Sequence, residues 1–288
     1  MWKDKAIKLS FLGVASTSIL IMLLIFIFLF KEALPFIKHP GLASLLDSKW
    51  LPVSFQEERY GLLPLLTGTG LITLLAMAFA VPASVLSSIY IAEVANPSEK
   101  EILKPFIELL ASIPSVVLGF FGLIVLAPLV KSVFGLNSGL NALSGAILLA
   151  LMATPTIISV SEDAINSVPS AYKNASLALG ASRMQTVFKV VVPAALPGIV
   201  AAVMLGAGRV IGETMAVLMV TGNAARITGN PLESVRTMTA TIAAEMGEVP
   251  FGSTHYQSLF WIGILLLIMT FSLNVVAQRV LKKYGMFR

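Results

Sequence analysis

The sequence contains no cysteine, which excludes a disulfide framework, a thiol nucleophile and a thiolate metal site. Charged residues are also scarce: they make up 12% of the 288 residues, about half the share that soluble proteins carry. Hydrophobic residues make up 57%. A soluble domain of this composition would lack the polar side chains needed to cover its surface, and a disordered chain would carry more charge. The composition therefore predicts a membrane protein.

Residues that common catalytic sites require are missing as well. No glycine is followed by lysine, so the chain lacks the phosphate-binding loop of nucleotide hydrolases. The only histidines, His39 and His255, lie outside the apolar stretches, which argues against an intramembrane Ser–His dyad or a metal cluster. We therefore expect no enzyme, no metal and no cofactor. If transport here uses ATP, another chain must hydrolyse it.

Six apolar stretches are long enough to cross a bilayer as helices, which takes about 20 residues. They are Leu9–Phe30, Thr67–Ile91, Pro105–Val130, Ala142–Val160, Ala194–Val220 and Ser258–Val280. Lysine and arginine outside these spans are more numerous on the side of the N-terminus, which predicts cytoplasmic termini in a multi-pass protein of the inner or plasma membrane. The net charge of +5 is therefore read as a topology signal in the lipid bilayer and not as a nucleic-acid patch. We expect residues 1–66 to form an anchor helix with an external loop, and residues 67–288 to form the transmembrane core of an all-α bundle.

The internal segment 161–193, between the fourth and fifth spans, has the pattern of a helix–turn–helix. A first helix after Pro169 is expected to end at Gly180, which can adopt the left-handed conformation after a helix. Ser182 and Gln185 have the spacing of a capping box and predict the start of a second helix that runs to Val192. A compact hairpin facing the cytoplasm is suited to docking in a groove of a partner protein, although it also serves as a connection.

This segment resembles the cytoplasmic loop of ABC importer permeases, E-A-A-x3-G-x9-I-x-L-P. Asn174, Ala175 and Ser176 occupy the first three positions, and Gly180 and Pro193 follow at the family spacing. Asn174 stands where the family has an acid, and Ser176 replaces the second alanine. The resemblance implies the helical fold of MetI-like type I importer permeases and a loop that couples to a separate ATPase subunit.

A charged pair interrupts the fifth span in the run GRVIGETMAV. Arg209 and Glu213 are four residues apart, which predicts that they share a helix face and can pair. A charge at the bilayer centre costs at least ~2.5–3.5 kcal/mol, so it usually faces a partner or a polar path. Three interpretations remain open: a structural ion pair, an arginine on the path of an oxyanion, and a proton relay through the glutamate.

Small residues accompany this pair. Gly208, Gly212 and Ala216 are spaced by four and predict a stripe that permits close helix packing.

The run GRVIGETMAV also resembles the signature of phosphate-specific ABC permeases, as does the run beginning at Glu108 in the third span. The segments from Tyr60 and from Arg236 are similar to the subunit type called PstC. The resemblance implies a permease for phosphate with three partners: a second permease of PstA type, an ATPase dimer of PstB type and an extracytoplasmic phosphate-binding protein of PstS type. A sulfate or molybdate permease of the same architecture and a stand-alone secondary anion transporter are the alternatives.

Overall fold

The computed structural model describes residues 2–54 and 56–284, and within them the chain folds as a helical bundle with one short hairpin of strands. Six of the described helices are long and apolar enough to cross a membrane, which confirms the expected helical bundle. They cover Ser10–Lys38, Leu63–Val94, Ser115–Phe134, Ala142–Asn166, Arg183–Gly212 and Thr254–Arg279. Residues 285–288, expected at the cytoplasmic end, lie outside the described part of the chain.

The elements of the first half precede the fourth span. They are α1 (Trp2–Ala33), α2 (Pro35–Lys38), a 3-10 turn (Leu42–Leu46), β1 (Trp50–Leu51), β2 (Arg59–Tyr60), α3 (Leu63–Ile89), α4 (Pro97–Ser112), α5 (Ser115–Phe121) and α6 (Ala127–Phe134). The second half contains α7 (Ala142–Asn166), α8 (Ser170–Ala178), α9 (Arg183–Thr186), α10 (Val192–Gly212), α11 (Met215–Val220), α12 (Met238–Glu245) and α13 (Thr254–Tyr284). One-turn π segments at Tyr90–Val94, Gly122–Leu126 and Val187–Val191 extend or join these helices.

The centre of the bundle is α7, which packs against both α3 and α10. It is the most enclosed of the six spans, with 61% of the residues in its most apolar stretch buried. Fully buried alanines line the contacts between these three helices: Ala76, Ala146, Ala153 and Ala202. Small side chains let helix backbones approach closely in a membrane, where lipid removes the usual hydrophobic driving force. The sequence therefore builds its tightest packing around the fourth span.

The third span begins later than the sequence predicts. The expected span was Pro105–Val130, but the chain leaves the helical conformation at Ile113, whose ψ is 127°. Pro114 causes this break, because a proline ring disfavours the helical region for the residue before it. The membrane-spanning part is Ser115–Phe134.

Helix α4 is therefore separate from the third span. Asn96 and Glu99 form a capping box at its start. Its apolar residues, among them Ile102, Phe106 and Leu109, are exposed. An amphipathic helix with this exposed apolar face suits the membrane interface.

Two of the π segments end two residues before a proline inside a helix. Proline lacks an N–H, and its ring clashes with the carbonyl four residues earlier. The N–H of Ala127, just before Pro128, donates to the carbonyl five residues earlier, and the N–H of Val192, before Pro193, does the same. The wider turn accommodates the proline ring, so both spans continue past it.

The N-terminal helix joins the bundle through α13. Phe28 and Phe260 make an edge-to-face contact with ring centroids 5.7 Å apart. The indole Nε1 of Trp261 donates to the carbonyl of Ala33 at 2.9 Å. The segments expected outside the membrane carry structure of their own, the β1–β2 hairpin and α12.

Candidate functional site

The fifth span ends at Gly212, before the predicted end at Val220. Glu213 has extended backbone angles (φ −68°, ψ 132°), and α11 begins after this break. Glu213 is therefore not one helical turn beyond Arg209, and the prediction that the two share a helix face is wrong. Among the described residues, the ion pairs within 4.0 Å do not include these two.

Arg209 lies in the last turn of α10 and is half-buried. Its Nη1 donates a hydrogen bond of 3.0 Å to Oγ1 of Thr156 on α7. Within the described part of the chain, no carboxylate lies within 4.0 Å of its guanidinium. The arginine is thus held by a neutral partner at the contact between the fourth and fifth spans, and its charge is not neutralised there.

Glu213 stabilises the break between α10 and α11. Its Oε1 accepts from the backbone N–H of Ala216 at 3.3 Å, in the first turn of α11. A carboxylate at the start of a helix satisfies free N–H groups and interacts favourably with the helix dipole. The Glu213 carbonyl accepts from Oγ1 of Thr239 at 2.8 Å, which connects the break to α12.

The small residues of the fifth span are divided by the same break. A Cβ added to Gly208 or Gly212 would have no neighbour within 4 Å inside this chain. Ala216 lies on α11 and packs on Gly119 of α5, where an added Cβ would come within 3.3 Å of the Ala216 Cα. The tight contacts between the fourth and fifth spans are made by Gly198 and Gly206, where an added Cβ would lie 2.3 Å from Ala164 and 2.5 Å from Ile157. The sequence stripe is therefore not one continuous packing face.

The expected helix–turn–helix is present between the fourth and fifth spans. Helix α8 ends at Ala178, and Gly180 follows with a φ of 82°, which is left-handed as expected. The N–H of Gly180 donates to Leu177, and that of Ala181 to Ser176, which is the hydrogen-bond pattern of a Schellman motif. Ser182 and Gln185 form the predicted capping box. We call α8, this turn and α9 the α8–α9 hairpin (residues 170–186).

The second helix of this segment does not end at Val192, as the sequence predicts. Helix α9 continues through the π segment into α10, so the hairpin and Arg209 lie on one continuous helical path.

The residues that match the ABC permease loop lie on the exposed side of the hairpin. Asn174 and Ala175 are exposed. Ser176 is half-buried, and its Oγ lies 3.0 Å from Oγ1 of Thr186. Large apolar side chains are exposed beside them: Leu177, Leu179, Met184 and Phe188. Leu179 is 90% exposed next to the Gly180 turn. Clustered exposed apolar residues of this kind mark an interaction surface.

At the N-terminal end of α3, which is the end away from the α8–α9 hairpin, one carboxylate contacts side chains from three separate segments of the chain. Glu245 Oε1 accepts from Nη1 of Arg236 at 2.6 Å and from the indole Nε1 of Trp50 at 3.2 Å. Its Oε2 lies 2.8 Å from Nε2 of His255. We call these four residues the Glu245 hub. It borders an open cleft of about 400 Å³.

The environment of Glu245 lowers the pKa of its carboxyl group. Burial alone would raise this pKa, but the hydrogen bond from His255, the charge of Arg236 and the hydrogen bond from Trp50 outweigh it. Trp50 and Glu245 are 195 residues apart, so no local pattern in the sequence brings these two together. The only local signal was a histidine and an arginine near the same acidic residue.

The chain matches the family model described as "Binding-protein-dependent transport system inner membrane component" over residues 84–284. It is 40% identical over 222 residues to the probable ABC transporter permease YqgH of Bacillus subtilis, covering 77% of this chain and 72% of that protein. It is 34% identical over 262 residues to the phosphate transport system permease PstC of Mesorhizobium japonicum, covering 84% and 79% of the two chains.

Solved structures show the same fold. A chain of a bacterial alginate ABC transporter matches with a TM-score of 0.67 and 15% identity, over 99% of this chain and 98% of that one. A chain of the inward-facing MetNI methionine ABC transporter matches with a TM-score of 0.58 and 22% identity, over 78% and 94%. At these identities the likeness concerns the fold alone, which is that of MetI-like importer permeases. Together with the family model and the sequence relatives, it shows that the chain is a multi-pass membrane protein that belongs to the binding-protein-dependent transport system inner membrane component family, and within it to the PstC-type permeases.

Proposed function

We propose that this chain is a transmembrane subunit of an ATP-driven phosphate importer and forms half of its translocation path. Its partners are a second permease of PstA type, an ATPase dimer of PstB type and an external phosphate-binding protein of PstS type. The chain itself has no ATPase site in this proposal and contributes the path and the coupling. Family membership supports the class of transporter, and the names of the PstC relatives support the substrate.

The proposed role of this site rests on one observation, the environment of the Arg209 side chain. Its guanidinium is half-buried between two central spans and is held by Thr156 instead of a carboxylate. A charged group within a membrane bundle is costly unless it faces a partner or a polar path. The planar guanidinium fork fits the oxygens of phosphate in a bidentate arrangement. Arg209 therefore provides a positively charged binding site for the anion as it crosses the membrane. Glu213 shapes the path beside it because it stabilises the break between α10 and α11.

The orientation follows from the lysine and arginine bias. With the N-terminus in the cytoplasm, the α8–α9 hairpin also faces the cytoplasm, and the Glu245 hub faces the side from which the binding protein delivers phosphate. The exposed Leu179, Met184 and Phe188 then lie on the side of the ATPase dimer. Asn174, Ala175 and Gly180 shape the helix that docks there. Pro193, after the π turn, leads the docked hairpin directly into the fifth span.

Transport would proceed by alternating access. Closure of the ATPase dimer on ATP moves the docked hairpins, and the bundle changes from inward-facing to outward-facing. Gly208 and Gly212 have open space beside them, which suits close packing against the second permease.

The test is uptake by proteoliposomes that contain the chain with its permease and ATPase partners, binding protein outside and ATP inside. We expect ATP-dependent phosphate uptake that sulfate and molybdate do not inhibit. Inhibition by either oxyanion would assign a different substrate, and uptake by the chain alone without ATP would indicate a secondary transporter.

The role of Arg209 is tested in the same assay. Arg209→Ala is expected to abolish uptake while the partners still co-purify. Arg226→Ala is the matched control, because Arg226 is an exposed arginine paired with Glu233 at 3.4 Å and lies away from the spans. If Arg209→Ala disrupts the complex itself, the arginine is structural.

A further inference from the structure

We propose that the ion pair between Lys173 and Glu93 connects the α8–α9 hairpin to the second span, so that displacement of the hairpin moves α3 and, through it, α12 at the far end. This inference deepens the proposed function and rests on it, since it describes how coupling enters the bundle. It assigns positioning roles to Lys173 and Glu93, which the comparison with the ABC permease loop does not single out.

The first observation is how the hairpin is held. None of the residues of α8 is buried, so apolar packing does not fix this helix to the bundle. The hydroxyl contact between Ser176 and Thr186 stays within the hairpin. The ammonium of Lys173, in contrast, leaves the hairpin and pairs with the carboxylate of Glu93, 80 residues earlier in the chain.

The second observation is that this pair is largely shielded from water. The side chain of Glu93 is 12% exposed and that of Lys173 is 28% exposed. Exposed ion pairs contribute little because water and salt screen them, whereas losing one partner of a shielded pair leaves an uncompensated charge. Removing either partner would therefore leave an uncompensated charge, which favours the contact between α8 and the end of the second span.

The third observation is the place of Glu93 in the fold. It lies in the π segment Tyr90–Val94, which continues α3 and closes with a hydrogen bond of 2.8 Å from the Ala95 N–H to the Tyr90 carbonyl. The whole second span, Leu63–Val94, is one helical rod of about 48 Å at 1.5 Å per residue. A force applied at Glu93 therefore acts on the end of a continuous element.

The fourth observation is what the other end of this rod contacts. Oγ1 of Thr69 accepts from the backbone N–H of Met238 at 3.0 Å, at the start of α12. A Cβ added to Gly68 would lie 2.4 Å from the carbonyl of Arg236, so the two backbones are in direct contact. The adjacent Thr239 holds the carbonyl of Glu213. The second span thus joins the hairpin at one end to the Glu213 break and the Glu245 hub at the other.

These contacts connect the α8–α9 hairpin continuously to α12. Energetic coupling between the hairpin and α12 is measured directly by cysteine labelling. The absence of native cysteine makes this possible, because a single introduced cysteine is the only labelling site in this chain. Ala244→Cys places it on α12, at a half-buried position. In the complex with its permease and ATPase partners, its rate of reaction with a membrane-impermeant maleimide is measured with and without ATP. Phosphate uptake per ATP hydrolysed is measured in parallel.

We expect Lys173→Glu and Glu93→Lys each to reduce the ATP-dependent change in maleimide rate and the uptake per ATP, by roughly 2- to 30-fold, the range of transmitted coupling effects. The double exchange Lys173→Glu with Glu93→Lys restores the pair and is expected to recover both measurements. Arg183→Glu combined with Glu93→Lys is the mismatched control, since Arg183 is exposed on the same hairpin, and it should not recover them.

A single variant that retains the full ATP-dependent change overturns the proposal, as does a double exchange that recovers nothing while the complex still assembles. Failure of the proposed function gives a different result. If the unmodified complex shows the ATP-dependent maleimide change but takes up no phosphate, the substrate assignment fails, and the maleimide rates of the single and double variants still decide the linkage.

Discussion

Arg209 donates a hydrogen bond of 3.0 Å to the hydroxyl of Thr156, and this contact joins the fifth span to the fourth at the candidate site. The two residues are 53 positions apart. A neutral hydroxyl orients the guanidinium without neutralising it, which leaves its remaining donors for an anion.

Thr156→Val is expected to impair phosphate uptake through loss of this orientation. Valine has a similar volume but no hydroxyl, and a hydrogen bond to a charged group contributes about 1.5–3 kcal/mol. We expect the half-saturation concentration for uptake to rise about tenfold while assembly is unchanged. Thr156→Ser keeps the hydroxyl and should behave like the unmodified chain. Identical kinetics for the valine and serine variants would show that Thr156 does not position Arg209.

Gly206→Ala and Gly208→Ala form a matched pair, because both glycines lie on α10. An added Cβ at Gly206 meets Ile157 at 2.5 Å, and overpacking of this kind costs about 1–3 kcal/mol. At Gly208 the Cβ meets nothing within 4 Å in this chain. In thermal unfolding of the chain alone, only Gly206→Ala should lower the transition temperature. Loss of partner co-purification with Gly208→Ala would place that glycine at the permease–permease contact.

Gly180→Val should uncouple ATP hydrolysis from uptake. Gly180 has a φ of 82°, and such left-handed geometry costs a residue with a Cβ roughly 1–2 kcal/mol. A β-branched residue such as valine is destabilised by more than that. The turn would then change shape and displace the exposed helix α8. Gly180→Asn is the control, since asparagine tolerates this conformation. The quantity to measure is ATP hydrolysed per phosphate taken up, which should rise for valine and stay normal for asparagine. Normal coupling in the valine variant would argue against docking by this hairpin.

The Glu245 hub predicts a stability that is lost in acid. The pKa of Glu245 is lowered in the folded chain from an ordinary value of 4.5, so its contribution is complete above that pH and disappears as pH falls through the lowered pKa. Glu245→Gln removes the charge at every pH. We expect this variant to make the segment around α12 sensitive to protease at neutral pH, as the unmodified chain becomes only in strong acid.

The control for this experiment is Glu248→Gln, which changes an exposed neighbour outside the hub. Equal protease sensitivity of the two variants at neutral pH would show that the hub does not hold these segments together.

The parts of this fold that depend on local chemistry could be predicted from the sequence. Long apolar runs give the six spans, and the Gly180 turn and the Ser182 capping box follow from residues close together in the chain. Pro114 is itself a local signal for the break before the third span. The long apolar run obscured this signal, because hydropathy carries no information about backbone conformation.

The break after Gly212 was harder to foresee. It is stabilised by contacts from Ala216 and Thr239, and the second of these lies 26 residues away. An i,i+4 rule applied to Arg209 and Glu213 assumes a continuous helix, which tertiary contacts interrupt here. The Glu245 hub and the Lys173–Glu93 pair depend entirely on such distant contacts, and a single sequence does not reveal them.

The π turn at Val187–Val191 fixes the rotational phase between the α8–α9 hairpin and Arg209. An ordinary helix turns about 100° per residue, so one residue more or fewer in this turn would rotate everything after it by about that angle. Pro193 follows this turn, so the direction in which Arg209 points relative to the α8–α9 hairpin depends on the length of the turn that accommodates this proline.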